Sequence, residues 1–312
     1  MRRQAGFVLL PVVLAMSLLA VLAYMSNRSS GLSAALQDSE KAADRAYYAA
    51  EAGLQMLNAR IQALGCGASY PTAAAPVSNT TFGNAAYSAY STAATGNVLT
   101  LVSTGTYQGR SITLTRSNAY VYQTSTLTYT LQPNGSAGID TYIEVNKTAN
   151  YGNEDKIKLK NSERFGLIKF DLSAFPVGSL VDQATLRLRF GSSAAGYLYG
   201  YRMKASWTEG NGSVGVNWLT RDGSTAWTNA GGDYHSDAFA GVWVLFTDLL
   251  DWDVSAMVKY WVSGRYPNDG MRIEPSLLTS EEIVSSDDSS AGDRPRLRVI
   301  YYPPCGVTGP HD

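Results

Sequence analysis

"GLIKFDLSAFPVGSLVDQATLRLRF", residues 166–190, ends in a run where Ala184, Leu186, Leu188 and Phe190 alternate with Thr185, Arg187 and Arg189. A period of two places one set of side chains on a buried face and the other in water, which is the signature of a strand. Asp171, Pro176 and Gly178 interrupt the stretch with turn chemistry. Similar short segments recur on both sides: "TLTYTL" (126–131), "DTYIEV" (140–145), "GVWVLFTDL" (241–249) and "PRLRVIYY" (295–302). Only "DVSAMVKYWVSG" (253–264) among them suggests a helix. Many short strands separated by turns predict an antiparallel β-sandwich over residues 126–302.

Upstream of the sandwich the pattern changes. "NVLTLVSTGTYQGRSITLTRSNAYVY" (97–122) alternates on both sides of Gln108-Gly109, predicting a hairpin with a third strand following. Residues 68–96, rich in Ala, Ser, Thr and Asn, read as loop with one short strand near Tyr87–Tyr90. Before them, Leu32, Leu36, Ala43, Ala46, Ala50, Leu54, Leu57, Ile61 and Leu64 recur in steps of three, four or seven, one stripe of a helix that Gly65 and Gly67 terminate. That stripe is expected to cover the small sheet. Arg3 and Arg28 bracket an uncharged, largely apolar run, long enough for the ~20 residues that a bilayer core requires. A membrane-spanning half is therefore expected, with the N-terminus cytoplasmic and no signal-peptidase site behind it.

Composition narrows the function. Twenty-five basic against 26 acidic residues leave no charge excess for nucleic acid. With His235 and His311 alone, two cysteines, no Gly-rich phosphate loop and no G-x-S-x-G, there is no constellation for an enzyme, and Glu209 and Asp171 stand as isolated carboxylates. No cofactor is implied. Calcium is carried as a candidate at Asp287, Asp288 and Asp293, although the loop lacks D-x-D-x-D-G spacing and reads as a solvated turn. All six tryptophans fall in the sandwich. Trp207, Trp252 and Trp261 read as core; Trp218, Trp227 and Trp243, in or beside a glycine-rich region, stand between packing and a ligand-binding platform. Cys66 ends the helix and Cys305 follows the last strand, in a tail (303–312) without an apolar pattern to hold it. An oxidising compartment permits their bond, but exposed thiols or bonds to other subunits remain open alternatives.

Two resemblances arise from these residues. "RRQAGFVLL" (2–10) resembles a prepilin leader, and "RAYYAAEAGLQMLNARI" (45–61) resembles the AxYAAEAGL-like run of PilX-type minor pilins of type IV pili. The resemblance implies a leader at 1–6, cleavage by prepilin peptidase after Gly6, an N-methylated Phe7, a pilin helix over 7–67 and a pilin sheet over 68–125. Pro11 stands where major pilins carry Glu, a departure that the resemblance links with tip or priming subunits. The stretches "DTYIEVNKTANYGNEDKIKL", "ASWTEGNGSVGVNW" and "SSDDSSAGDRPRLRVIYY", with residues 166–190, resemble the DNRLRE family. That likeness implies a jelly-roll-like sandwich related to carbohydrate-binding modules. The fold expected is thus α+β, a long helix with a small sheet followed by an all-β sandwich. The function expected is a minor pilin that joins other pilin subunits and the assembly machinery at the inner membrane. At the pilus or cell surface it then displays a module for adhesion, with polysaccharide as a partner. The alternatives are a type II secretion pseudopilin that recognises exported substrate, and a membrane-anchored polysaccharide-processing enzyme.

Overall fold

The computed structural model describes residues 9–82, 84–93, 98–237, 240–277 and 280–312, without the side chains at 9–15, 29–35 and 80–82. The leader and the Gly6–Phe7 junction lie outside the described residues, as does the side chain of Pro11. Two compact units form: Met1–Leu64 with Ala68–Ala119, and Gly65–Gly67 with Tyr120–Asp312.

In the first unit, helix α1 (Leu9–Leu64) lies on a sheet of four strands in the order β1 (Val77–Phe82), β2 (Ala85–Ala93), β3 (Val98–Tyr107) and β4 (Arg110–Tyr120). The helix buries Ala42, Ala46, Ala49, Ala50, Leu54, Leu57 and Ile61, whereas Leu36 and Leu64 of the expected stripe are exposed. Small residues face each other across this contact. A Cβ on Gly105 would stand 2.0 Å from the Ala46 carbonyl, and one on Gly53 would stand 2.2 Å from Ser103 Oγ. The sheet's inner face sets the small Ala85, Ala89, Ser91, Ser103 and Gly105 beside the larger Tyr87, Leu99 and Leu101. This corrects the reading of residues 68–96, which hold two strands, β1 and β2, where a loop with one short strand is expected. Ala and Ser have low strand propensity, yet a closely approaching helix requires them. The expected hairpin turns at Gln108 and Gly109, both at positive φ as a two-residue type I′ turn needs. The chain leaves that turn as the single strand β4, which runs to Tyr120.

Among the described residues no helix is long and apolar enough to cross a membrane. The expected span between Arg3 and Arg28 lies in part outside the described residues.

The second unit is a curled antiparallel sandwich. Its strands are β5 (Leu127–Leu131), β6 (Ile139–Glu144), β7 (Lys156–Leu159), β8 (Arg164–Lys169), β9 (Leu180–Arg202), β10 (Ala240–Asp253), β11 (Met271–Ser276), β12 (Glu281–Val284) and β13 (Arg296–Tyr302), with helix α2 (Ser255–Val262) after β10. The sheet runs β5-β13-β9-β11-β8-β6, β10 pairs with β9, and β12 joins β7 to β9. Strand β9 is 23 residues long and serves both layers: its first part pairs with β13 and its last part with β11. Along it Ala184, Leu186, Leu188, Phe190, Ala194 and Leu198 point into a core shared with Trp252, Ile273, Val299 and Tyr301. The 303–312 tail is held, contrary to expectation, and by polar contacts that an apolar pattern does not reveal. Tyr301 Oη donates to the Pro310 carbonyl at 2.6 Å, and the Asp312 carboxylate accepts from Thr130 N at 2.8 Å and Thr130 Oγ1 at 2.7 Å. Within this unit Cys66 is bonded to Cys305, and Cys305 N donates to the Val121 carbonyl at 2.8 Å.

Candidate functional site

The same alternation that sends Leu198 inward sends Tyr197, Tyr199 and Tyr201 outward from the last part of β9. Their rings form a row, with centroids 4.6 Å apart between Tyr197 and Tyr199 and 6.2 Å apart between Tyr199 and Tyr201. Antiparallel pairing places Trp243 of β10 opposite Tyr197, where the two rings meet edge to face at 5.0 Å. At the other end Tyr234 stands 5.2 Å from Tyr201. Trp243 is 59% exposed, and its neighbour on the same face, Leu245, is 70% exposed. Tyr197, Tyr199, Tyr201 and Tyr234 are partly buried, so within the row it is Trp243 that stands in water as surface available for a ligand.

Gly241 shapes this row. It pairs with Tyr199, and a Cβ there would stand 2.3 Å from Tyr197 Oη, so the absent side chain is the space that Tyr197 occupies. On the other flank, β11 sets Arg272 beside Tyr201 and Glu274 beside Tyr199. The Arg272 guanidinium lies 3.9 Å from the Phe165 ring centre and 4.2 Å from that of Tyr234, and is paired with Glu274 at 3.4 Å. Cation–π contact and ion pair together hold it buried and compensated. Burial, and then the Glu274 charge, push the Tyr201 hydroxyl above its ordinary value.

The segment 203–236 is long but far from loose. It covers the outer face of β6 and β8, packing Met203, Trp207, Val216 and Trp227 on Ile143, Phe165 and Leu167. Side chains supply the hydrogen bonds that a sheet would otherwise give. Asn150 Nδ2 donates to the carbonyls of Glu209 and Val216, Asn217 Oδ1 accepts from Leu219 N and Thr220 N, and Asp233 accepts from Thr228 N and Asn229 N. Trp227, expected in a binding loop or a core, is buried and donates from Nε1 to the Asn217 carbonyl at 3.0 Å. Trp218 is partly buried and stacks on Phe165 at 6.0 Å, beneath Gly231. Of the three tryptophans left between packing and platform, Trp243 alone stands in the aromatic row. Trp207 and Trp252 are core, and Trp261 packs at its edge.

The calcium candidates do not converge. Asp288 is paired with Lys156, Asp293 pairs with Arg189 at 2.6 Å, and Asp287 lies partly buried beside Gly135. Among the described residues no group of three or more His, Cys, Asp or Glu side chains is placed to hold a metal ion. Cations already satisfy two of these carboxylates, which is the physical reason. A different pair of carboxylates is perturbed. Glu209 Oε1 accepts from Asp140 N at 2.8 Å, and both oxygens of buried Asp140 accept from Ser286 N. Burial is the first cause in each case, and it pushes Asp140 up to about 6 and Glu209 up to about 8. Asp171, by contrast, is lowered by accepting from Ser173 N.

Sequence reading overlooked the tyrosines of the row, though "YLYGY" at 197–201 carries the signal: three aromatic positions in alternation, separated by Leu and Gly. A curled sandwich with a row of rings on one outer face is an arrangement suited to holding a ligand. No curated protein matches the chain. Residues 133–301, more than half of its length and the whole of the row, match carbohydrate-binding module family 96, a family of binding modules, and the chain belongs to that family.

Proposed function

We propose that the chain is an adhesive subunit that holds polysaccharide on the outer face of β9, β10 and β11. The observation that carries this reading is the row of Trp243, Tyr197, Tyr199, Tyr201 and Tyr234, with Trp243 standing 59% in water. The first unit serves as a stem, and we take it to be that of a type IV pilus minor pilin that presents the module outside the cell. A long helix laid on a four-stranded antiparallel sheet, with the motif at 45–61 on that helix, supports this part of the reading.

Retention of the full chain on a panel of immobilised polysaccharides tests the binding function. At least one polymer is expected to retard the native protein, and Trp243→Ala is expected to weaken that retention about tenfold. Removing one stacked ring costs on the order of 1 kcal/mol, close to the 1.4 kcal/mol of a tenfold change. Equal retention of the Trp243→Ala protein would move the site elsewhere. For the stem, mass spectrometry of the protein from its host is expected to find Phe7 as the first residue, and a chain beginning at Met1 would count against the pilin assignment.

A further inference from the structure

Helix α1 ends at Leu64, and Cys66 follows at once in the short segment Gly65–Gly67 that belongs to the second unit. Cys305 stands just past the end of β13, and the bond between them closes a loop with a sequence separation of 239 that contains the whole of β1 to β4. We infer that this bond is the load-bearing joint of the molecule: it passes tension from the sandwich straight into α1 and leaves the four-stranded sheet out of the line of force. The inference rests on the adhesive function just proposed, since a subunit that holds a polymer is pulled upon. With the bond, helix and sandwich are joined through a few residues on either side of two sulfurs. Without it, every pull between them runs through residues 68–119.

The two routes resist a pull differently. The small sheet has four strands in sequence order, so β1 and β4 are its edges, and the chain enters β1 and leaves β4 at the same end. Antiparallel hydrogen bonds stand perpendicular to the strands, so a pull between those two ends opens them one after another from the edges. Strand β13 is the opposite case. It lies between β5 and β9, with Leu297–Tyr301 paired to the first and Arg296–Tyr302 to the second. To draw it out, both ladders must break along their whole length, and β9 is the strand that bears the tyrosines of the row.

The joint is also bedded for this role. Cys305 is buried, its N donates to the Val121 carbonyl at 2.8 Å, and Gln123 donates from N to the Pro303 carbonyl and from Nε2 to the Val307 carbonyl, both at 3.0 Å. Beyond the cysteine, Tyr301 holds Pro310 and Thr130 holds Asp312. The polar contacts that fix this tail thus grip the sandwich end of the bond on both sides. On the helix side Gly65 and Gly67 flank Cys66 at φ of 70° and 75°, a conformation that glycine adopts without strain and that turns the chain out of α1.

Single-molecule force spectroscopy of the full chain tests this, with azide-bearing residues in place of exposed Gln37 on α1 and exposed Leu245 on β10 as the two handles. The native chain is expected to open first in the sandwich, with no step from residues 68–119. The Cys66→Ser/Cys305→Ser chain is expected to show its first event at a clearly lower force. That event should release the roughly 50 residues of the small-sheet segment, about 170–180 Å of contour at ~3.5 Å per residue. Native chain tethered in the folded state and then treated with dithiothreitol should behave as the double variant does, which separates loss of the bond from misfolding. A first event at the native force in both bond-free forms, or a sandwich that opens before the small sheet in them, would overturn the inference. A step from residues 68–119 in the native chain would overturn it as well. No glycan enters the measurement, so either of these results leaves polysaccharide binding intact, and failure on the immobilised polysaccharides would not alter the force record.

Discussion

Replacing Glu209 by Gln should stabilise the sandwich at alkaline pH and leave it unchanged at acid pH. Glu209 is raised from 4.5 to about 8 and Asp140 from 3.8 to about 6, so the folded chain holds protons that the unfolded chain releases. The stability this contributes is fully present below about pH 4.5 and is lost as pH rises through about 8. For Glu209 alone the gap corresponds to roughly 4–5 kcal/mol at ~1.36 kcal/mol per pH unit. Its partly exposed side chain admits screening water and it shares its field with Asp140, so about 2 kcal/mol is the realistic loss between pH 5 and pH 9. In a unit of this size ~1 kcal/mol moves Tm by about 2–4 °C, which gives a fall of about 4–8 °C. Gln keeps an oxygen to accept from Asp140 N, the bond now made at 2.8 Å, and never ionises. Thermal melts followed by tryptophan fluorescence report this unit selectively, because every tryptophan lies between residues 207 and 261. The native protein should lose Tm from about pH 5 to about pH 9, and Glu209→Gln should flatten most of that fall. Parallel pH profiles for the two proteins, or a native Tm that climbs over this range, would refute the reasoning.

Gly105→Val should disrupt the first unit, since even a Cβ would stand 2.0 Å from the Ala46 carbonyl and 2.4 Å from Ala50 N. The expected cost is about 1–3 kcal/mol or more, read as increased proteolysis of α1 with the tryptophan transition unmoved; resistance equal to that of the native chain would argue that the helix does not lie this close. Converting Cys66 and Cys305 together to Ser should lower the tryptophan transition by several degrees, since closing a long loop contributes about 2–4 kcal/mol. An unchanged midpoint would mean that the hydrogen bonds of Cys305 and Asp312 suffice to hold the tail.

The alternation in residues 166–190 determined a strand because a period of two has only one way to bury half of its side chains. The step of three and four between Ala46, Ala50, Leu54, Leu57 and Ile61 likewise determined which face of α1 is covered. Local periodicity reaches that far. It does not state how near a partner approaches, and so most of the Ala- and Ser-rich strand β2, beyond the short strand expected near Tyr87–Tyr90, read as loop until the helix lying on it explained its small residues. Nor does it weigh single tryptophans: Trp218, Trp227 and Trp243 share a similar neighbourhood in the chain, and only their places in the fold set one in a core, one against Phe165 and one in water. The aromatic row is the plainest case. "YLYGY" places three rings on one face of a strand, but which face is inside depends on the β9 register, and the partners Trp243, Tyr234 and Gly241 arrive from 40 or so residues away. A surface assembled from strands distant in sequence is decided by pairing register, and register is a property of the closed sheet.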